Sequence, residues 1–422
     1  MLREAHAHIV QHGRAMRMLR LDDCIDRDDC LQRVALAAAD LAEAPPARWL
    51  LGVGLRVQAW PQPNYPTLDE LDSILGPRPC CLWSFDHHAL AANTRALGAA
   101  GFRHDSPDPP NGRLVRDSAG NLTGLALEAA AKAIYAAVPE PEGDERREVV
   151  RSALVDLSRH GFVEIHDLLS QPWLGPTLAA LDDVGELRVR VWLYPPLDVL
   201  DAVASTRREW ERPNVRLAGG KVFADGTLNS RTAWTLRPYA DPLPGMLTGQ
   251  CIADAPAIGR ALARCHALGV GLAVHAIGDA AVRACLDAFE SSPPSLRRAV
   301  EPPFPPLRIE HAEIIDAADV PRFARLGVVA SVQPCHLLYD IEALRRGLPH
   351  RLDRVLPLRE LIDAGCVPGT GLWFGSDTPI VRPDPADSIQ AAVHRRRPGM
   401  TNGISAHQAI TEGEARAAFA AG

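Results

Sequence analysis

The chain has 422 residues, 47% hydrophobic and 23% charged, with 52 acidic against 45 basic side chains and a formal net charge of −7. That length and balance suit one large α/β domain or two average ones. The acidic excess argues against a general nucleic-acid binder, whose affinity comes from clustered Lys and Arg, and no stretch approaches the roughly 18 uninterrupted apolar residues of a membrane helix. Nucleic acid and membrane are therefore not expected as partners, a small-molecule substrate is, and a homo-oligomer stays open. The nine cysteines form no CxxC pair, Cys80 and Cys81 are adjacent, and the first residues hold no apolar signal core. These features read as buried thiols in a cytoplasmic protein.

The chain opens on His6-Ala7-His8, an alternation that puts both imidazoles on one face of a strand. Between about residues 40 and 150 a Pro-rich stretch with a helical segment near 125–135 interrupts the pattern, and it reads as a long insertion after strand one, a lid or pocket wall. From residue 161 onward, short β-rich runs alternate with amphipathic or Ala-rich stretches. The runs are 161–167, 188–194, the segment around Lys221, 271–278, 307–312, 328–334 and 371–377. With the first strand they number eight, which predicts a (β/α)8 TIM barrel over residues 1–422 with its active site at the C-terminal ends of the strands.

Metal-ligand residue types fall at those ends, in the order His6, His8, Lys221, His275, His311, Asp377. A lone histidine in an apolar strand reads as a core residue; this set, brought together by ring closure, reads as the holder of one or two divalent ions. Lys221 is one of two lysines in the chain. Arginine stays protonated, whereas a buried lysine can become a neutral amine, take up carbon dioxide and bridge two ions as a carbamate. Its other reading is a buried ion pair with Asp225 or Asp377. Asp377 either caps the following turn or serves as ligand and base, taking the proton of a metal-acidified water and passing it to a leaving amine. The second combination describes hydrolysis of an amide-like bond by a metal-bound hydroxide. There is no Gly-x-Ser-x-Gly elbow, His-Glu-x-x-His or P-loop, and Gly52-Val-Gly54 lacks the third glycine of a dinucleotide site. His166-Asp167, ending the second strand, either orients substrate or supports the metal ligands.

The stretches His6-Ala-His8, Phe85 to Asn93 (FDHHALAAN), Lys221 to Thr232 (KVFADGTLNSRT), His275-Ala-Ile-Gly-Asp279, Glu310-His311-Ala312, Val332-Gln-Pro334 and Phe374-Gly-Ser-Asp-Thr-Pro379 occur in this order. Together they resemble the amidohydrolase superfamily, in particular its type 3, YtcJ-like branch, which includes N-substituted formamide deformylases. The resemblance covers nearly the whole chain. It implies His6, His8, His275 and His311 as ligands, Lys221 as a carbamylated bridge, Asp377 as ligand and catalytic proton shuttle, and usually zinc, although such ligands also suit iron, manganese or nickel. It places His88 and Arg231 in substrate-binding loops. The implied activity is hydrolysis of a non-peptide C–N bond in an amide, N-acyl or N-formyl group. A mononuclear deaminase on the same barrel, or a truncated and inactive metal-binding protein, is the alternative. The latter follows from a departure: the family's β-sandwich domain has no counterpart before His6 or near Gly422, so that domain is expected to be largely missing.

Overall fold

The structure is a computed structural model that describes residues 1–85, 89–110, 112–242, 245–297 and 307–422. It is a mixed α/β chain whose contacts divide it into two compact units, Met1–Gly13 with Arg146–Gly422, and Arg14–Glu145. The opening strand β1 (Leu2–Ala7) belongs to the first unit.

The second unit is a six-stranded sheet. Its strands are β2 (Leu19–Arg20), β3 (Leu50–Leu55), β4 (Cys80–Ser84), β5 (Ala89–Ala92), β6 (Gly112–Arg116) and β7 (Leu122–Glu128), arranged in the order β2-β3-β4-β5-β7-β6. The first three pair in parallel and the rest antiparallel. The composition shift near residue 40 marks the Pro-rich part of this unit. The unit itself begins earlier, because Leu21, Cys30 and Val34 pack with Leu50, Leu71 and Leu82 in one apolar cluster. A second cluster gathers Trp83, Leu90, Leu97, Leu114 and Ile134.

The first unit continues with β8 (Phe162–Leu168), β9 (Arg190–Tyr194), β10 (Val215–Leu217), β11 (Gly219–Phe223), β12 (Gly271–Ala276), β13 (Leu307–His311), β14 (Val329–Val332) and β15 (Leu372–Phe374). All pair in parallel, as β1-β8-β9-β10 and as β11-β12-β13-β14-β15. Parallel bridges Pro196–Lys221 and Ala7–Thr378 tie the edges of these two sheets to each other. Strands buried on both faces read as near-continuous apolar runs, and β12, Gly-Leu-Ala-Val-His-Ala, is buried at every position. In β13, period-two alternation sends Leu307 and Ile309 into the large apolar core. Arg308 and Glu310 go to the other face, where they pair with each other, both fully buried. A buried charge pair of this kind is tolerated only when its remaining hydrogen bonds are made. Arg308 also donates to Ser331 Oγ at 2.8 Å, to His166 Nδ1 at 2.7 Å and to the carbonyl of Ala5.

Among the described residues no helix is long and apolar enough to cross a membrane. Eight of the nine cysteines are buried; Cys251, expected to be buried as well, is exposed.

Candidate metal centre

The two ends of the chain meet at one point. Asp377 N donates to His6 O at 2.7 Å and His8 N donates to Thr378 O at 2.9 Å, so the segment after β15 lies directly against the end of β1. Gly375 allows that approach: a Cβ there would stand 2.6 Å from both Glu4 Oε1 and His6 N. Glu4 fastens the junction by accepting from Ser376 N at 2.9 Å, Ser376 Oγ at 2.9 Å and His6 N at 3.0 Å. Burial pushes its carboxyl up to about 7.

On that junction Asp377 Oδ1 lies 2.9 Å from His8 Nε2 and 3.3 Å from His6 Nε2. The His311 ring is 4.9 Å from that of His6 and 4.5 Å from that of His275. His311, Ala312 and Asp377 all have positive φ (70°, 43° and 62°). That left-handed conformation is unfavourable for residues with a Cβ and concentrates at functional sites. Here it turns the ends of two strands so that an imidazole and a carboxylate face the same space. Lys221 enters from β11, 2% exposed, with its Nζ 5.3 Å from the Phe223 ring centroid. Its charge acts on His6, His275 and His311.

Burial holds His6 down to about 4 and His275 to about 3, and drives His311 well below the ordinary imidazole value. Neutral imidazoles keep a lone pair for a cation. Burial also brings Lys221 down to about 8, within reach of the neutral amine that carbamate formation needs. Against burial, the neighbouring His6 ring and the hydrogen bond from His8 hold the Asp377 carboxyl well below the usual range.

Neighbouring groups orient the rings. Glu310 Oε2 accepts a hydrogen bond from His6 Nδ1–H at 2.7 Å, which aims Nε2 at Asp377. The Gly226 carbonyl lies 3.0 Å from His275 Nε2, and with the proton on Nε2 for that bond Nδ1 keeps the ring's lone pair. A cation fits this donor set. Ligand atoms of His6, His311 and Asp377 lie within 4.8 Å of one another. The buried Nδ1 atoms of His8 and His311 meet no hydrogen-bond partner in the described structure, an arrangement that costs free energy unless something occupies them.

The structure thus brings His6, His8, His275, His311 and Asp377 into one group with Lys221 beside it. His88 lies outside the described residues. The Arg231 guanidinium is engaged elsewhere: it donates to both Asp241 oxygens at 2.7 Å and to the Leu228 carbonyl at 2.9 Å, with 8% of the residue exposed. His166 bonds Arg308 and Glu164, while Asp167 Oδ1 accepts from Ile9 N at 2.6 Å at the start of the helix Ile9–Met16. Sequence reasoning assigned no role to Glu4, Glu310, Glu313, His336 or Asp340. The charged pair Arg308 and Glu310 inside an apolar strand was a readable signal; His336, at the start of a helix, gave none.

The sequence profile of the amidohydrolase family matches residues 2–422, and the chain belongs to that family. It is 30% identical over 416 residues to YtcJ of Bacillus subtilis (strain 168), a protein named as an amidohydrolase, covering 95% of this chain and 74% of that one. It is 26% identical over 373 residues to the N-substituted formamide deformylase of Arthrobacter pascens, covering 83% and 65% of the two chains. Among solved structures, an uncharacterized metal-dependent hydrolase from Pyrococcus horikoshii superposes with a TM-score of 0.78 at 25% identity, covering 98% of this chain and 78% of that one.

Proposed function

We propose that the protein hydrolyses a non-peptide C–N bond, in an amide, N-acyl or N-formyl group of a small molecule, with one or two divalent ions, zinc foremost, held by His6, His8, His275, His311, Asp377 and carbamylated Lys221. The eight parallel strands, counting β10 and β11 as one strand bent at Ala218, form on this reading a closed (β/α)8 barrel with the site at its C-terminal end. The observation that carries the proposal is the meeting of His6 and His8 with Asp377 across 3.3 and 2.9 Å respectively, from opposite ends of the sequence. The A. pascens deformylase and the P. horikoshii hydrolase support the reaction class.

When bound, the metal supplies a Lewis acid and a water of lowered pKa. The protein's own part follows from its geometry. Asp377 is ionised and buried, so it can take the proton of the attacking water and return it to the nitrogen as the C–N bond breaks, releasing an acid and an amine. Glu310 and Gly226 keep the His6 and His275 rings in place meanwhile. Metal analysis of purified protein should find one to two ions per chain, with a carbamate mass increment on Lys221. Lys221→Ala should lose metal and turnover of an N-formyl amine panel together. Full turnover in that variant sinks the mechanism, and absence of the carbamate with metal retained turns the reading toward a mononuclear deaminase.

A further inference from the structure

His12 lies one turn beyond His8 in the helix Ile9–Met16, its backbone N donating to His8 O at 2.8 Å. Its ring is buried and is bonded at both nitrogens. Nε2 lies 2.9 Å from Asp156 Oδ2, on the helix Gly143–Arg159, and Nδ1 lies 2.9 Å from Thr378 Oγ1. A carboxylate only accepts, so Nε2 donates to it, while a hydroxyl can meet Nδ1 in either of its forms. Gly13 permits the approach of the two helices, because a Cβ there would collide with the carbonyl oxygen of Val149.

Thr378 follows Asp377, whose φ is 62°. A left-handed residue that carries a Cβ persists only where its surroundings hold it. On one side of Asp377, Glu4 holds Ser376. On the other, Thr378 O accepts from His8 N at 2.9 Å and Thr378 Oγ1 bonds His12. That last bond alone of these leads away from the two strand ends, through the His12 ring to Asp156 on a separate helix. We infer that His12 is a positioning residue: by tying the Thr378 hydroxyl to Asp156, it holds the Asp377 carboxylate at the angle at which His6 and His8 meet it. The inference rests on the reading of Asp377 as a metal ligand and adds the group that steers it. A hydroxyl, an imidazole and a carboxylate in this order also make an activated nucleophile. Here Thr378 is 0% exposed, so its hydroxyl meets no acyl group and the arrangement serves as a support.

Asparagine carries its amide where the Nδ1 of histidine stands, and glutamine carries it where Nε2 stands. His12→Asn therefore keeps the bond to Thr378 and drops the one to Asp156, whereas His12→Gln does the reverse. Competition with a chelator for zinc should show affinity weakened about tenfold or more in His12→Gln and in Thr378→Val, which removes the hydroxyl at nearly constant shape. His12→Asn and Thr378→Ser should stay within about threefold of wild type. The visible absorption of the cobalt-loaded protein, which reports ligand geometry, should change in the first two variants and not in the second two. A bond that only stabilises the fold would lower the urea midpoint of both His12 variants and leave affinity and spectrum untouched. That result overturns the inference, as does a loss in His12→Asn as large as in His12→Gln. If His12→Gln does not fold by circular dichroism, Thr378→Val against Thr378→Ser decides. A wild type that binds no ion removes the metal centre and the inference with it. Affinities in the expected order with no N-formyl compound turned over would instead fault the hydrolase reading alone.

Discussion

Glu310 shows how much one side chain organises. It accepts from His6 Nδ1 at 2.7 Å and from Ser331 Oγ at 2.8 Å, and it pairs with Arg308. A charged acceptor behind a ligand imidazole fixes its tautomer and raises its basicity, and loss of such a group typically costs 10–100-fold in metal affinity. Glu310→Gln should therefore weaken metal binding by roughly 10–100-fold in a chelator competition, and an unchanged affinity would show that His6 needs no such support. Arg308→Met leaves the same carboxylate buried and unpaired, a change that destabilises by about 3–5 kcal/mol, to be read from the urea midpoint. The candidate ligands were legible because each is a metal-binding residue type near the end of an apolar run. Glu313, Asp340 and His336 were not, because one follows the strand in an irregular segment and two lie on a helix, where acidic and imidazole groups ordinarily mean a solvated face.

At the scale of the elements, the strands of the first unit were readable from the sequence for a physical reason: buried on both faces, they leave runs such as Gly-Leu-Ala-Val-His-Ala. What the pattern could not show is the break at Ala218 between β10 and β11, which depends on tertiary pairing with β9 and β12. The order of the sheet in the second unit was equally hidden, since antiparallel pairs such as β5 with β7 join segments with no distinguishing periodicity. The junction of β1 with the segment after β15 depends on Gly375, where a Cβ would collide with His6 N and Glu4 Oε1. Gly375→Ala should push the two strands apart and cost about 1–3 kcal/mol of stability, as overpacked cores do. Because His6, His8 and Asp377 bridge that junction, bound metal should fall with it. Normal metal content in a destabilised Gly375→Ala protein would mean that the ligands tolerate the shift.

For the whole molecule, each unit has apolar clusters of its own. That of the first gathers residues such as Val150, Leu178, Leu272 and Phe374, and those of the second gather Leu71 with Leu82 and Trp83 with Leu90. Multi-unit chains with separate cores depart from two-state unfolding, so scanning calorimetry should resolve two transitions. The candidate ligands His6, His8, Lys221, His275, His311 and Asp377 all belong to the first unit. An ion that binds only the folded site stabilises by about 2.7 kcal/mol at a free concentration 100 times its Kd. Adding metal should therefore raise one transition and leave the other in place, with a chelator reversing the shift. The same experiment on Gly375→Ala separates affinity from folding, because its metal-dependent shift should shrink while the second transition stays at the wild-type temperature. A metal-induced rise of both transitions by equal amounts would contradict this assignment and show that the two units unfold as one.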